Sequence, residues 1–483
     1  MRRILRAAPT VALLVTMSCA GSAKNAQSGP LILPGDDALT ALAKRTHAKV
    51  MTLDTHVDID PGAFQVGQLN YSQRLSTQVD LTKMEEGKLD AIFFSIYVGQ
   101  GAIDSAGFAR AYATDTAKFN AVHRLAEVIA PSRIEIAYTA ADARRIYASG
   151  KKLAFMGVEN GYGIGNDITR VKEFYDRGAR YMSLAHNGHN QLSDSNTGES
   201  DNQWMWNGLS PFGKLVIAEM NRLGIMIDIS HPSKGSMMQS LALTKAPVIA
   251  SHSGVRAICD VSRNLDDEEL RALGKNGGVV QLVAFRSYVK CDPKTDAART
   301  AATVALNTEF GIAVGGRGTG AGRGAGGAAG AGPGAGVARG PMAGTPGPAC
   351  GPSGRAGGAG AAVNPQVAAF TPERRAAYEA RQHDVAAKYP AAPTATVKDY
   401  VDHIDYAVKM IGLDHVGVSS DFDGGGGIDG YNCALEAVNV TRELVRRGYT
   451  EEQISKIWSG NLLRVLEEVE QTAKKIQSGK IAA

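Results

Sequence analysis

Metal-binding and acid/base side chains recur at the ends of short apolar runs in this chain of 483 residues. Six of eight such runs end in one: the residues are His56 with Asp58, Glu159, His186, His231, His252 and Asp421. A single histidine in such a place is ordinarily a structural, hydrogen-bonded one, and an Asp before glycines, as in Asp421-Phe-Asp-Gly, is ordinarily a turn. The repetition of the feature at run after run instead indicates one functional site.

Imidazole and carboxylate together are the ligands of Zn²⁺ or a similar divalent first-row ion, and no thiolate among these residues biases the choice. His56 and Asp58 are two apart on an extended chain, so they project to the same side and can hold one ion. His231 and His252 would hold a second ion from neighbouring strands, and the two oxygens of Glu159 can bridge the pair. The pattern therefore predicts a centre of two divalent metal ions.

The elements that must position these residues read as alternating strands and helices. The eight predicted strands are 49–56, 89–98, 153–159, 179–186, 224–231, 247–252, 278–285 and 415–421, and the clearest helices between them are 108–129, 169–177, 211–223, 266–274 and 397–411. Strands that are apolar throughout are typical of a parallel sheet covered on both faces, and a (β/α)8 TIM barrel gathers their carboxyl ends on one rim. An open doubly wound sheet is the alternative, but no GxGxxG follows the first strand to support a dinucleotide site.

Composition separates this predicted barrel, residues 40–470, from an insertion at 292–395 before the eighth strand. Residues 311–360 hold 21 of the 56 glycines and four arginines but no acidic residue. Because the low-complexity part, 311–362, offers almost nothing large to bury, we expect it to be disordered. The net charge of +4 comes from this stretch and from the amino terminus, so the folded body gives no reason to expect a nucleic-acid partner.

The first 23 residues are typical of a secretory signal peptide. Arg2, Arg3 and Arg6 precede a short apolar run, which ends in Ser18-Cys-Ala-Gly. Cys19 stands where a bacterial lipoprotein signal places its lipidated cysteine, so simple cleavage and lipidation are both open. We expect a protein that is exported, periplasmic or secreted, whose sole link to a membrane would be that lipid.

Beyond these patterns, the chain resembles the membrane dipeptidase (renal dipeptidase) family, peptidase family M19, within the metal-dependent amidohydrolase superfamily. The matching stretches are DTHVD from Asp54, GVENG from Gly157, SLAHN from Ser183, the run from Gly208 to His231, APVIASHS from Ala246, SRN from Ser262, SDFDG from Ser420 and GNLLRV from Gly460. Their order along the chain, from about residue 45 to 470, makes the resemblance specific.

The resemblance implies roles for individual residues. His56 and Asp58 would hold one zinc, His231 and His252 the other, and Glu159 would bridge them; His186 would contact the scissile carbonyl oxygen, Asp421 would move the proton, and Arg263 with Tyr288 would bind the substrate carboxylate. It also implies a disulfide between Cys259 and Cys291 and suggests a homodimer. Arg263 as a surface ion pair and Tyr288 as a packed aromatic are the structural alternatives. Asn160, Tyr162, Gly188 and His189 depart from the animal enzymes, which leaves side-chain specificity open.

These expectations describe a zinc-dependent dipeptidase that cleaves dipeptides with a free carboxylate by means of a metal-activated water. Another amidohydrolase of the same fold, acting on a lactone, β-lactam, cyclic amide or N-acyl amino acid, is one alternative. A noncatalytic envelope scaffold is the other.

Overall fold

Nine strands form a single sheet in the computed structural model, which describes residue 35, residues 37–312, residue 350, and residues 365–390 and 394–482. The strands are β1 (Leu53–Asp58), β2 (Ala91–Tyr97), β3 (Ile134–Ile136), β4 (Lys152–Glu159), β5 (Ala179–Ser183), β6 (Met226–Asp228), β7 (Ile249–Ser253), β8 (Val279–Val283) and β9 (Val416–Ser419). All of them pair in parallel, in the order β1-β2-β4-β5-β6-β7-β8-β9.

The sheet closes on itself between its first and last strands. Val57 forms a parallel bridge with Phe422, and the backbone N–H of Asp58 donates to the carbonyl of Phe422 at 2.9 Å. The predicted (β/α)8 TIM barrel is therefore confirmed, and the open sheet is excluded. The short strand β3 was not predicted; it pairs with β4 outside the ring.

Helices surround the barrel. They are α1 (Asp37–His47), α2 (Leu81–Gly87), α3 (Ser105–Arg124), α4 (Ala140–Ala148), α5 (Thr169–Asp176), α6 (Pro211–Leu223), α7 (Lys234–Leu243), α8 (Asp267–Asn276), α9 (Arg286–Val289), α10 (Pro293–Glu309), α11 (Pro365–Ala368), α12 (Pro372–Lys388), α13 (Val397–Ile411), α14 (Ala437–Arg446), α15 (Glu451–Ser455) and α16 (Asn461–Gln477). Among the described residues, no helix is long and apolar enough to cross a membrane.

The five predicted helices correspond to α3, α5, α6, α8 and α13, and local capping explains their bounds. The α3 helix begins at Ser105 because the Asp104 side chain accepts the Gly107 N–H. Its predicted last turn, Leu125–Ile129, has π geometry. The α8 helix begins after a capping box between Asp266 and Glu269, and ends at a left-handed glycine, Gly277.

The floor of the barrel is packed with aromatic rings. Phe93 stacks on Phe155 with ring centroids 4.6 Å apart, and on Tyr181 at 5.1 Å. Leu462 and Leu466 of α16 belong to the same buried cluster, so this helix covers the barrel end opposite the rim. The site at the rim therefore stands on a closely packed, water-excluding base.

The connection between β8 and β9 contains α9 to α13. Helices α10 and α12 pack on each other through a small cluster of their own, which includes Leu306 and Tyr378. Most of the predicted low-complexity segment lies outside the described residues, as do the predicted signal peptide and Cys19.

Two disulfides among the described residues each have one cysteine within this connection. The bridge implied between Cys259 and Cys291 is present and ties the loop after β7 to the segment after β8. A second one, between Cys350 and Cys433, was not predicted.

Candidate active site

The strand ends bring the predicted metal ligands to one place on the rim. Three groups have ligand atoms within 4.8 Å of one another: His56, Glu159 and His252; Glu159, His186 and His231; and His56, Asp58 and Asp421. All five predicted metal ligands and both predicted catalytic residues thus belong to one continuous cluster.

Glu159, the last residue of β4, lies at the centre of the cluster with its two oxygens facing different partners. Its Oε2 is 3.2 Å from His56 Nε2, while its Oε1 is 3.0 Å from His231 Nε2 and 3.3 Å from His252 Nε2. Ser95 Oγ donates to Oε2 at 3.3 Å and steadies that orientation. One carboxylate therefore faces His56 with one oxygen and both His231 and His252 with the other, which is the arrangement of a bridging ligand.

Hydrogen bonds at the far ring nitrogens set the tautomers of His56 and His252. The Tyr181 hydroxyl donates to the Thr55 carbonyl at 3.1 Å, so its oxygen accepts from His56 Nδ1 at 2.9 Å. Ser251 Oγ donates to Asp228 Oδ2 at 2.6 Å, so it accepts from His252 Nδ1 at 2.8 Å. Each ring then presents the Nε2 lone pair to the centre, which is the form that binds a metal.

His231 follows the same scheme, because Asn187 Oδ1 lies 3.2 Å from its Nδ1. Its Nε2 lies only 2.9 Å from His252 Nε2. Two lone pairs at that separation repel each other unless a cation lies between them, and two nitrogens on one Zn²⁺ are roughly 3.3 Å apart for bonds of about 2.0 Å. His56 Nε2 is buried and has no hydrogen bond to the described residues. The donor set fits divalent metal ions.

The charges at the site favour a bound cation. Burial disfavours charge on His56, yet Glu159, Asp421 and Asp58 together raise its pKa to about 10. Burial lowers the pKa of both His231 and His252 well below the usual value, which keeps them neutral. The carboxylates that attract a proton to His56 would equally attract a metal ion in its place.

Asp421 follows β9 and leans over the same cluster. Its backbone is left-handed at φ 57°, an unusual conformation for a residue with a side chain and one that occurs at functional sites. Burial, and then the negative charges of Asp58 and Glu159, raise the pKa of Asp421 well above its usual range. The residue can therefore bind and release a proton at higher pH than an ordinary aspartate.

Close packing keeps Asp421 in that position. A Cβ on Gly424 would lie 2.0 Å from Asp421 Oδ1 and 2.3 Å from Asp58 Oδ2, so only glycine fits there. Asp54 Oδ1 accepts the backbone N–H groups of both His56 and Ser420, at 3.2 and 3.0 Å. The two ends of the barrel seam are thereby held together beneath the site.

His186 lies on the other side of Glu159, with its Nε2 at 3.6 Å from Oε1. Its ring packs against Tyr97 and His231 at centroid distances of 4.7 and 4.1 Å. Burial lowers the pKa of His186 to about 4, so the ring is neutral at physiological pH and carries one N–H donor.

Arg263 and Tyr288 lie together beside β7. The guanidinium of Arg263 donates to the His252 carbonyl at 3.0 Å and lies 5.3 Å from the centre of the Tyr288 ring. Its Nε–H is buried and has no partner among the described residues. A guanidinium binds a carboxylate through two parallel hydrogen bonds, so the type of this residue fits a carboxylate partner. The Tyr288 ring also stacks on Phe285, at 4.2 Å.

Sequence reasoning missed several residues that shape the site, namely Asp54, Gln78, Lys118, Tyr181 and Gly424. Asp54 and Gly424 fall inside the matching stretches DTHVD and SDFDG, but the resemblance implied no role for either residue. Lys118 lies on α3 and brings its ammonium to 3.9 Å from Asp58 Oδ1. The helical period of the sequence alone does not reveal that Lys118 lies at the rim of the barrel.

Comparisons with known proteins agree with this fold and identify a family. The model of the family described as membrane dipeptidase (Peptidase family M19) matches residues 40–480. Dipeptidase tcpJ of Claviceps purpurea (strain 20.1) is 27% identical over 404 residues, which is 83% of this chain and 71% of that protein. Dipeptidase aclJ of Aspergillus oryzae is 25% identical, over 83% of this chain and 72% of that one.

Solved structures give the same result. The crystal structure of the probable dipeptidase PvdM from Pseudomonas aeruginosa is similar with a TM-score of 0.68 and 28% identity, covering 90% of this chain and 99% of that one. A metallo peptidase from Rhodobacter sphaeroides, liganded with a phosphinate mimic of the dipeptide L-Ala-D-Ala, shares the fold with a TM-score of 0.58 and 20% identity, over 87% and 99% of the two chains.

A parallel barrel with this cluster at its rim is the framework of a metal-dependent hydrolase. The chain belongs to the membrane dipeptidase family, peptidase family M19, and is a metallo-dipeptidase. This confirms the family that the sequence motifs indicated, and it excludes the noncatalytic scaffold as the class of protein.

Proposed function

We propose that this protein is a zinc dipeptidase that hydrolyses the single peptide bond of dipeptides with a free carboxyl terminus. The observation that carries the proposal is the convergence of the Nε2 atoms of His56, His231 and His252 on the two oxygens of Glu159. No other group of the described residues places so many metal-binding atoms together at the carboxyl ends of parallel strands.

In this proposal His56 and Asp58 hold one metal ion, His231 and His252 hold the other, and Glu159 contributes to both. Divalent ions bound there would lower the pKa of a water molecule and polarise the scissile carbonyl. The remaining work falls to the protein: to position the substrate, and to move a proton between the attacking water and the leaving amine.

Asp421 is the group proposed to move that proton. Its carboxylate lies beside His56 and Asp58, where it can first take a proton as general base and then return it as general acid. His186, neutral and facing Glu159, is proposed to donate its N–H to the carbonyl oxygen as negative charge develops there.

Arg263 is proposed to bind the carboxylate of the substrate, with Tyr288 beside it. The Nε–H of Arg263, which has no partner among the described residues, and the position of Arg263 next to His252 support this role. A clamp at that point would place the peptide bond next to the carboxyl-terminal residue at the ligand cluster.

We further propose that the protein is exported, as its signal-like amino terminus predicts. Two disulfides among the described residues support an oxidising location. Lipidation of Cys19 and assembly into a homodimer are proposed from the sequence alone. Mass spectrometry of the mature amino terminus tests the lipidation, and light scattering tests the homodimer.

A screen of L,L and L,D dipeptides, with metal analysis on the same sample, tests the function. We expect two zinc equivalents per chain and hydrolysis of free dipeptides but not of their carboxyl-terminal amides. The Asp421→Asn variant should keep its metal and lose most turnover. Purified folded protein without metal, or an Asp421→Asn enzyme of normal rate, would refute the proposal. Equal turnover of the carboxyl-terminal amides would indicate that the protein is an amidohydrolase of another class.

A further inference from the structure

Lys118 is a buried lysine at the edge of the candidate active site, and its side chain makes no hydrogen bond to the described residues. The whole residue, Lys118, is 7% exposed. The ammonium lies 3.9 Å from Asp58 Oδ1 and 5.2 Å from the centre of the Tyr97 ring, and it hydrogen-bonds to no residue in the described parts of the chain. An ammonium has three N–H donors, so Lys118 keeps donors for an acceptor from outside the protein.

Its neighbours on the protein do not supply the missing acceptor. Asp115, one turn earlier on α3, is fully buried, and both of its carboxylate oxygens lack hydrogen bonds within the described residues. Burial disfavours the ionised form of Asp115 and raises its pKa well above its usual range, against the effect of the nearby Lys118 charge. Asp58 is a proposed metal ligand, so its negative charge would be shared with the metal ion. Lys118 thus remains a donor beside the ligand cluster whose one ion pair within the described residues, with Asp58, is 3.9 Å long.

The order of the strands places Lys118 opposite Arg263. Lys118 adjoins β1 and β2 through Asp58 and Tyr97, whereas Arg263 adjoins β7 through the His252 carbonyl. In the closed ring of eight strands, β1 and β2 are three and four places from β7, so the two side chains lie on opposite sides of the rim. A substrate held by its carboxylate at Arg263, with its peptide bond near Glu159, directs its amino-terminal residue toward Lys118.

We propose that Lys118 binds a carboxylate on the side chain of the amino-terminal residue, so that the enzyme prefers dipeptides of the form Glu-Xaa or Asp-Xaa. An ammonium paired with a carboxylate in a site shielded from water forms a strong charge-assisted hydrogen bond. This inference rests on the proposed dipeptidase function and specifies the substrate class of the same site.

The test compares Glu-Ala with Gln-Ala, two substrates of nearly equal size that differ in charge. We expect the kcat/KM of the wild-type enzyme to be about tenfold or more higher for Glu-Ala. In Lys118→Met, which keeps the length of the side chain without its charge, that ratio should fall to about one. Lys172→Met, on the exposed face of α5 where Lys172 pairs with Asp176, is the matched control and should keep the wild-type ratio.

Each other outcome is decisive. A wild-type ratio near or below one, with Gln-Ala hydrolysed, overturns the proposal even if Lys118→Met does not fold. If Lys118→Met loses rate equally on both substrates together with bound metal, Lys118 is a positioning residue for Asp58 and the proposal is wrong. If the metal-loaded wild type hydrolyses neither dipeptide, the dipeptidase function itself has failed.

Discussion

Gln78 and Asp423 hydrogen-bond to each other twice across the barrel seam. The backbone N–H of Gln78 donates to Asp423 Oδ1 at 2.8 Å, and the backbone N–H of Asp423 donates to Gln78 Oε1, also at 2.8 Å. The Gln78 amide nitrogen also donates to the carbonyls of Gly426 and Asn432, at 2.9 and 2.8 Å. One side chain from the segment before α2 thus anchors the loop that carries Asp421.

Replacing Gln78 should therefore impair catalysis through the position of Asp421. We expect Gln78→Ala to lower kcat by roughly 10–100-fold, because small displacements of a proton-transfer group are costly. Steady-state kinetics and metal analysis of the same protein measure the effect. Gln477→Ala, which removes one exposed hydrogen bond to the Arg222 carbonyl at the end of α16, is the control and should be unaffected. A wild-type kcat in Gln78→Ala would show that the loop keeps its shape without the anchor.

Loss of the Tyr181 hydroxyl should weaken metal binding. Tyr181→Phe keeps the ring on the barrel floor but leaves His56 Nδ1 without its acceptor, so the ring loses its fixed tautomer and orientation. Loss of such a supporting contact reduces metal affinity by roughly 10–100-fold. Competition with a chelator measures it, and Tyr147→Phe, whose hydroxyl donates only to the Lys49 carbonyl, is the matched control. Equal affinity in the two variants would contradict the proposed role of His56.

A methyl group at position 424 should abolish activity while the fold persists. In Gly424→Ala the new Cβ would overlap the carboxylates of Asp421 and Asp58, and both must move away. We expect kcat/KM to fall at least about 100-fold, with circular dichroism unchanged. Gly235→Ala in the first turn of α7 is the control, because its nearest contact would be an ordinary 3.5 Å. Normal activity in Gly424→Ala would mean that these carboxylates tolerate displacement.

Acid should destabilise the protein through His47, far from the metal cluster. His47 is buried and hydrogen-bonded to Thr441 Oγ1 and the Gly87 carbonyl, and burial lowers its pKa from 6.5 to about 4. Between these two values the unfolded chain binds a proton that the folded chain does not. The stabilising effect is thus fully present above pH 6.5 and is lost as the pH falls to about 4, for a total of about 3 kcal/mol.

Urea unfolding of the wild type and of His47→Gln from pH 4 to 7.5 measures this effect. Subtracting the two free energies of unfolding cancels the other titrating groups, and we expect the wild type to lose more stability than the variant as the pH falls. Parallel curves over this range would contradict the burial of a neutral His47.

Much of the fold and the ligand set could be predicted because both depend on local pattern. Parallel strands that are apolar throughout place their carboxyl ends on one rim, so a histidine or carboxylate at such an end has a known location. No such pattern identifies Gln78, Lys118 and Tyr181. Gln78 lies before a helix, Lys118 within a helix and Tyr181 inside a strand, and these residues reach the site only through tertiary packing. The left-handed backbone of Asp421 and the Cys350–Cys433 bridge likewise depend on contacts distant in sequence.

The long connection between β8 and β9 divides the chemistry of the chain into two parts. All five proposed metal ligands precede it, whereas Asp421 follows it. Each disulfide also lies wholly on one side of residues 313–349, with Cys259 and Cys291 before them and Cys350 and Cys433 after them. A chain cut within those residues would therefore yield two fragments with no covalent link. The larger would carry the proposed metal ligands and the smaller the proposed proton-transfer group, so that turnover would report on fragment complementation at the barrel seam.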